Sequence, residues 1–204
     1  MKKRVLFIFT LLAAIIFGGN AVGAAEADSK YLTTNEVLEL NVELDELINE
    51  VNEQLENGKT NVEVSTENVT VGFKVYDIPS EVSANNNFIG LSAIGSKGYQ
   101  AYVANTKGWN FTHAMSGTFS WDGSKLTGLT ASHDVTGVFY SKSANTYTEG
   151  VDGRIGSTAK IGKATSKGTF TALKYLPISY HTTLIVDVHA PTKDYRIVRA
   201  DINS

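Results

Sequence analysis

The stretch from residue 109 to residue 123, WNFTHAMSGTFSWDG, decides the fold class. One of its faces would carry Trp109, Phe111, His113, Met115, Gly117, Phe119 and Trp121. The positions between them are polar or small, so the pattern alternates with a period of two, which is typical of a β-strand. The stretch therefore predicts a two-faced strand. Its aromatic face is either core or an open ligand surface, and the pattern alone does not choose between them.

The same stretch ends in a strong turn signal. Asp122-Gly123 favours a two-residue hairpin turn, and such a turn pairs Phe119 with Leu126. Beyond Gly128 the apolar phase slips by one residue, which predicts a β-bulge at that glycine. With the extra residue counted, His113 would face His133 across the hairpin.

The pattern extends through most of the chain. We predict strands at residues 62–64, 69–75, 88–94, 99–103, 109–121, 126–140, 155–161, 168–175, 184–189 and 195–202. Segments rich in Gly, Asn, Ser or Pro separate them, at residues 85–87, 105–108, 141–145, 150–153 and 190–191. About nine or ten short strands without intervening helices indicate a mainly β domain over residues 61–204, an antiparallel β-sandwich or a partly open barrel.

An acidic helix precedes the strands, within residues 26–60. Its apolar residues recur at three- and four-residue steps and so share one stripe: Leu40, Leu44, Leu47, Ile48, Val51 and Leu55. Thr34 or Asn35 is the expected N-cap, and Asn57-Gly58 is the expected stop. The pattern therefore predicts one amphipathic helix that begins near Asn35.

Residues 1–25 have the composition of a secretory signal peptide. A basic start at Lys2, Lys3 and Arg4 precedes an apolar run of residues 5–17 and a tract of small residues. The run is shorter than the ~20 residues that span a bilayer, so we expect export without a permanent membrane anchor. The chain has no cysteine, which excludes both disulfides and a lipid-attachment cysteine. We expect a secreted, extracellular protein.

Charge divides the chain into two parts. Residues 26–68 hold 12 acidic side chains against two lysines, whereas residues 69–204 hold nine acidic side chains against 13 Lys and Arg. The two parts could attract each other, or the basic part could have an anionic partner such as a wall polymer. A helix that simply uses Glu for solubility would give the same asymmetry. We expect no nucleic-acid partner.

Two pairs of residues are candidates for chemistry. The predicted hairpin places the β-carbons of His113 and His133 about 5 Å apart, close enough to share a metal, although no third ligand is evident. Asp187 and His189 lie two residues apart on one strand face and could form an acid–base pair of a hydrolase. Both pairs are also consistent with ordinary structural roles. The short motifs of serine hydrolases and phosphate-binding loops are absent, and we expect no cofactor and no enzyme.

Aromatic side chains in strands rich in Ser, Thr, Asn and Gly are the candidate ligand-binding residues. We single out Trp109, Trp121, Tyr99, Tyr102, Tyr140 and Tyr147. A flat apolar ring can stack on a sugar or an extended peptide while short polar groups bond to it. The alternative is that these tyrosines only cover the rim of the core.

Three functions follow as hypotheses. The first is a secreted, non-enzymatic binding protein whose ligand is a glycan, a wall polymer or a protein. The second is a membrane-active, bacteriocin-like toxin, in which alternating segments rearrange and the acidic segment masks them. The third is a secreted hydrolase that uses Asp187 and His189. Ligand identity and oligomeric state are left open.

Overall fold

A computed structural model gives the three-dimensional structure. It describes residues 32–78, 94–106, 110–123, 125–137, 140–150, 160–172, 179–190 and 194–203. The elements in chain order are α1 (Thr34–Glu56), β1 (Asn61–Ser65), β2 (Val69–Asp77), β3 (Ile94–Asn105), β4 (Phe111–Asp122), β5 (Lys125–Leu129), β6 (Ser132–Gly137), β7 (Tyr140–Gly150), β8 (Ile161–Ala172), β9 (Ser179–His189) and β10 (Asp194–Asn203). The predicted signal peptide lies outside the described residues. No helix among the described residues is long and apolar enough to cross a membrane.

The predicted helix is confirmed, and its cap lies one residue earlier than expected. Thr33 accepts a hydrogen bond from the amide of Glu36, whose carboxylate accepts one from the amide of Thr33. This reciprocal capping box satisfies amides that would otherwise lack partners in the first turn. Asn57 is the C-cap, and Gly58 follows with φ of +84°, a conformation that favours glycine.

The predicted β-sandwich is confirmed. Strands β1 to β5 form one antiparallel sheet in the order β1-β2-β3-β4-β5, with β6 also paired to β4. The second antiparallel sheet has the order β10-β9-β8-β7. One hydrophobic cluster includes residues of both sheets and of the helix, so the acidic helical segment shares the core of the strands.

Aromatic rings fill the space between the sheets. Tyr195 of the four-stranded sheet stacks on Phe73 of the six-stranded sheet, with ring centroids 5.5 Å apart. Phe111 packs against Phe170 at 4.5 Å between ring centroids, again across the two sheets. Because such pairs bury large apolar areas, the aromatic face of β4 lies in the interior and not at an open surface.

The helix covers the edge of the four-stranded sheet. Asn41 donates to the carbonyl of Ile202 at 2.7 Å and accepts from its amide at 2.8 Å. Asn52 does the same with Ile197, at 2.7 and 3.0 Å. Asn41 and Asn52 are eleven residues apart in the helix, and Ile197 and Ile202 are five residues apart in β10. Both separations span ~16 Å, so each asparagine lies beside the outward amide and carbonyl of one β10 residue. The helix thus takes the place of a neighbouring strand at an edge that would otherwise be unpaired.

One acidic side chain of the helix takes part in this docking. Glu43 accepts hydrogen bonds from the hydroxyl of Thr66 and from Nδ2 of Asn68, the latter at 2.7 Å, in the turn between β1 and β2. All seven buried residues on the helix are apolar: Val37, Leu40, Leu44, Leu47, Ile48, Val51 and Leu55. Helix and sheets are therefore held together by apolar burial, by the two asparagines and by Glu43.

The predicted hairpin register is wrong by two residues. Asp122 pairs with Lys125, so the turn lies one residue later than expected. The bulge is confirmed beside Gly128, because the register shifts between Ser120 and Trp121. His113 consequently faces Val135 and not His133.

The second half of the hairpin also differs from the predicted single strand at 126–140. It is broken into β5 and β6, which both pair with β4. The predicted separator at 141–145 lies inside β7 and is wrong as a turn. This strand lies at the end of its sheet and is exposed along one face, so it needs no continuous apolar pattern. The strand predicted at 155–161 lies mostly outside the described residues, as does the one at 88–94.

Candidate binding surface

The outward side of the six-stranded sheet carries two tyrosines. Tyr76 of β2 and Tyr102 of β3 stand on neighbouring strands, each directly opposite a glycine. Tyr76 pairs with Gly98, and Gly72 pairs with Tyr102. A side chain on either glycine would collide with the opposite tyrosine ring, so each ring covers its glycine. The two glycines therefore allow the rings to lie across the strands and not to stand upright.

The two tyrosines differ in exposure. Tyr76 is 45% exposed, whereas Tyr102 is partly buried. The hydroxyl of Tyr102 donates to the carboxylate of Glu63 on β1. Burial raises the pKa of Tyr102 well above its ordinary value, and the bond to Glu63 and the charge of that residue raise it further. The hydroxyl therefore stays protonated and the ring is held in place.

Polar groups surround the two rings. Lys74 and Gln100 pair between the tyrosines, and Ser116 follows on β4. Farther across the sheet, hydroxyl groups bond in cross-strand pairs: Ser116 with Ser132 at 3.2 Å, Thr118 with Thr130 at 2.9 Å, and Ser120 with Thr127 at 3.0 Å. We call the face formed by Tyr76, Tyr102, Lys74 and Gln100 the tyrosine platform.

Three of the six predicted ligand residues lie away from the platform. Trp121 and Tyr99 are 6% and 0% exposed and belong to the core. Trp109 lies outside the described residues, as does the side chain of Tyr140. Of the four whose side chains the structure describes, Tyr102 alone lies on the platform.

Two exposed tyrosines, Tyr147 and Tyr76, lie on different sheets. Tyr147 is 43% exposed, but it stands on β7 of the other sheet. Tyr76 was missed, because it falls at the end of a predicted strand. The available signal was the pair of glycines at 72 and 98, since glycine inside a strand often marks a close approach.

His113 is the centre of a buried polar chain. Its exposure is 0%, and its Nδ1 lies 2.7 Å from the hydroxyl of Thr182. Its Nε2 lies 2.7 Å from the hydroxyl of Ser166, which lies 3.0 Å from that of Thr146. This series of hydrogen bonds ends at the surface, where Nδ1 of His133 lies 2.8 Å from the Thr146 hydroxyl. Each ring nitrogen of His113 therefore has a hydroxyl group as its hydrogen-bond partner.

Burial, together with the smaller effect of the charge of His133, lowers the pKa of His113 to about 4. The imidazole is thus neutral near neutral pH. A neutral imidazole donates through one nitrogen and accepts through the other, which matches its two hydroxyl neighbours. The arrangement joins β4 to β8 and β9 across the interior.

Asp187 and His189 lie on the outward side of the four-stranded sheet. Asp187 is 9% exposed, and its Oδ1 has no hydrogen-bond partner; the same holds for Nε2 of His189. No histidine in the described ranges forms a hydrogen bond with a carboxylate. Those ranges also hold no group of three His, Asp or Glu side chains that could bind a metal.

The chain was compared with protein-family models, curated proteins and solved structures, and no match was found.

Proposed function

We propose that this chain is an extracellular, non-enzymatic binding protein and that its ligand is a sugar polymer of the bacterial envelope. The tyrosine platform is the proposed binding surface. The observation that carries the proposal is the placement of two tyrosine rings over glycines on an outward sheet face. A side chain laid over a glycine gains little core packing, so its accessible ring is available for a ligand.

The chemistry of the platform suits sugars. The face of a pyranose ring that bears C–H groups is apolar and packs against an aromatic ring, while its hydroxyls need donors and acceptors. Lys74 offers donors, and Gln100 and Ser116 offer both kinds of group. The rings cover glycines that are four residues and one strand apart, a separation of ~14 Å. No single sugar ring covers that span, so a polymer fits better than a monosaccharide.

Export belongs to the same proposal. The basic start, apolar run and small-residue tract of residues 1–25 support secretion, and the absence of cysteine suits a domain that folds without disulfides. An exported chain would meet the polymers of the cell wall and its surroundings, so the ligand is expected among them.

The test is co-sedimentation of the mature chain with purified peptidoglycan sacculi and with insoluble neutral polysaccharides. We expect binding to at least one of these polymers. Tyr76→Ala should weaken the binding about fivefold, since one stacking contact is worth ~1 kcal/mol. Tyr76→Phe keeps the ring and should bind as the parent does.

Val42→Ala is a second control, because Val42 is 62% exposed and lies on the helix, whereas the platform residues lie on β2 and β3. No sedimentation with any polymer would refute the proposal. So would equal binding by the Tyr76→Ala and Tyr76→Phe variants.

The other two hypotheses stay open to direct assay. For the toxin, dye release from anionic liposomes is the measurement, although the helix buries its apolar stripe in the common core and is not a loose mask. For the hydrolase, the unpartnered Asp187 and His189 would have to act without a bonded hydroxyl or carboxylate.

A further inference from the structure

Four charged residues form a row across the outward side of the four-stranded sheet. Glu149 of β7 pairs with Lys163 of β8, which pairs with Asp187 of β9, which pairs with Arg196 of β10. Directly paired residues in an antiparallel sheet point to the same side and stand ~5 Å apart. The row therefore alternates in sign: negative, positive, negative, positive.

Within the described part of the chain, no two members of this row form an ion pair. Glu149 and Arg196, at the two edges of the row, are exposed. The row therefore lacks the partner that its charges require.

We propose that two copies of this chain pair through the outward side of strands β7 to β10. The twofold axis runs parallel to the strands, midway between β8 and β9. This operation reverses the strand order across the interface, so β7 faces β10 and β8 faces β9 of the second copy. Glu149 then faces Arg196 of the second copy, and Lys163 faces its Asp187. The row is its own complement, as a twofold interface requires.

The neighbouring rows agree with the same axis. The next row is Tyr147, Thr165, Ile185 and Arg199, in pairing order across the four strands. Tyr147 is 43% exposed, and Val198, the bulge residue beside Arg199, is 44% exposed. The axis places Tyr147 opposite Arg199 and next to Val198 of the second copy, so no like charges face each other in this row.

The next row contains Asn145, Lys167, Thr183 and Asp201. The axis places Asn145 opposite Asp201 and Lys167 opposite Thr183 of the second copy, so like charges do not face each other there. Opposed like charges would have excluded this arrangement.

The available area is close to that of a standard interface. Four strands at ~4.8 Å spacing and 11 residues at ~3.3 Å per residue give a face of ~700 Å². A standard stable interface buries ~800 Å² on each partner. The tyrosine platform lies on the other sheet and stays accessible in the dimer.

The test is sedimentation velocity of the full mature chain with two charge-reversal variants, Glu149→Arg and Arg196→Glu. Both positions are exposed, so folding should be retained, and circular dichroism checks it. We expect the parent chain to dimerise. Each variant alone should dimerise at least ~10-fold more weakly, because like charges then face each other twice in the symmetric interface.

The decisive measurement is sedimentation velocity of a mixture of the two variants. Each contact then again joins Arg to Glu, so the mixture should recover the dimer of the parent chain. Lys125→Glu, a change of the same kind on β5 of the other sheet, should leave the dimer unchanged. A monomeric parent chain overturns the proposal. So does a dimer that is indifferent to both reversals, or two weakened variants that fail to recover on mixing.

Discussion

Acid should destabilise this protein through His113. The side chain is fully buried, with one hydroxyl at each ring nitrogen, and its pKa is lowered from 6.5 to about 4. In the unfolded chain the imidazole is hydrated and takes up a proton below its ordinary pKa. Between pH 6.5 and 4 the unfolded state therefore binds more protons than the folded state, and the free energy of unfolding falls as the pH falls.

The magnitude follows from the shift. Each unit of pKa difference is worth ~1.4 kcal/mol, so the full shift of His113 corresponds to a loss of ~3 kcal/mol. The loss begins near pH 6.5 and is complete near pH 4, below which both states carry the proton. Domains of this size are stable by ~5–15 kcal/mol, so this single side chain would remove a large share of the stability.

The assay is urea denaturation at a series of pH values, for the parent chain and for His113→Gln. Glutamine can donate and accept at the same two hydroxyls, but it does not titrate. Subtracting the two profiles removes the contribution of the carboxylates. His181→Gln is the control, because His181 is exposed and bonds to Thr169 at the surface.

We expect the free energy of unfolding of the parent, measured relative to that of His113→Gln, to fall by ~3 kcal/mol from pH 7 to pH 4, while His181→Gln follows the parent. Parallel profiles for the parent and His113→Gln would refute the reasoning. They would mean that His113 is charged or hydrated in the folded protein.

Two further predictions concern the helix and the platform. Asn52→Ala leaves the amide and carbonyl of Ile197 without their side-chain partners, so the free energy of unfolding in urea should fall by ~1–3 kcal/mol. Asn49→Ala, an exposed change on the same helix, should alter it by less than ~0.5 kcal/mol, and equal effects would contradict the edge-covering role. Gly98→Ala would place a methyl group where the ring of Tyr76 lies and should displace that ring. Binding to the polymer that the parent chain sediments with should then weaken as in Tyr76→Ala, and unchanged binding would count against the platform.

Much of the fold could be read from local patterns. The alternation in β4 and the stripe on α1 predicted the right elements, because periodicity decides which side chains can be buried together. The hairpin register was wrong because the turn lies one residue later than Asp122-Gly123 suggested, which moves every pair by two. The candidate site was harder to predict, and Tyr102 was its only residue singled out in advance.

The sequence by itself determined the β class, the acidic helix with its stop, and the independence from disulfides. These properties depend on neighbours in the chain, through periodicity, turn residues and composition. Only the tertiary structure decided that the aromatic face of β4 is core, that Asn41 and Asn52 cover the edge of β10, and that Tyr76 joins Tyr102 at the surface. These outcomes depend on contacts between residues far apart in the chain, such as Asn41 with Ile202 and His113 with Ser166. No local pattern encodes which faces and edges will meet, because that depends on how all the strands pack at once.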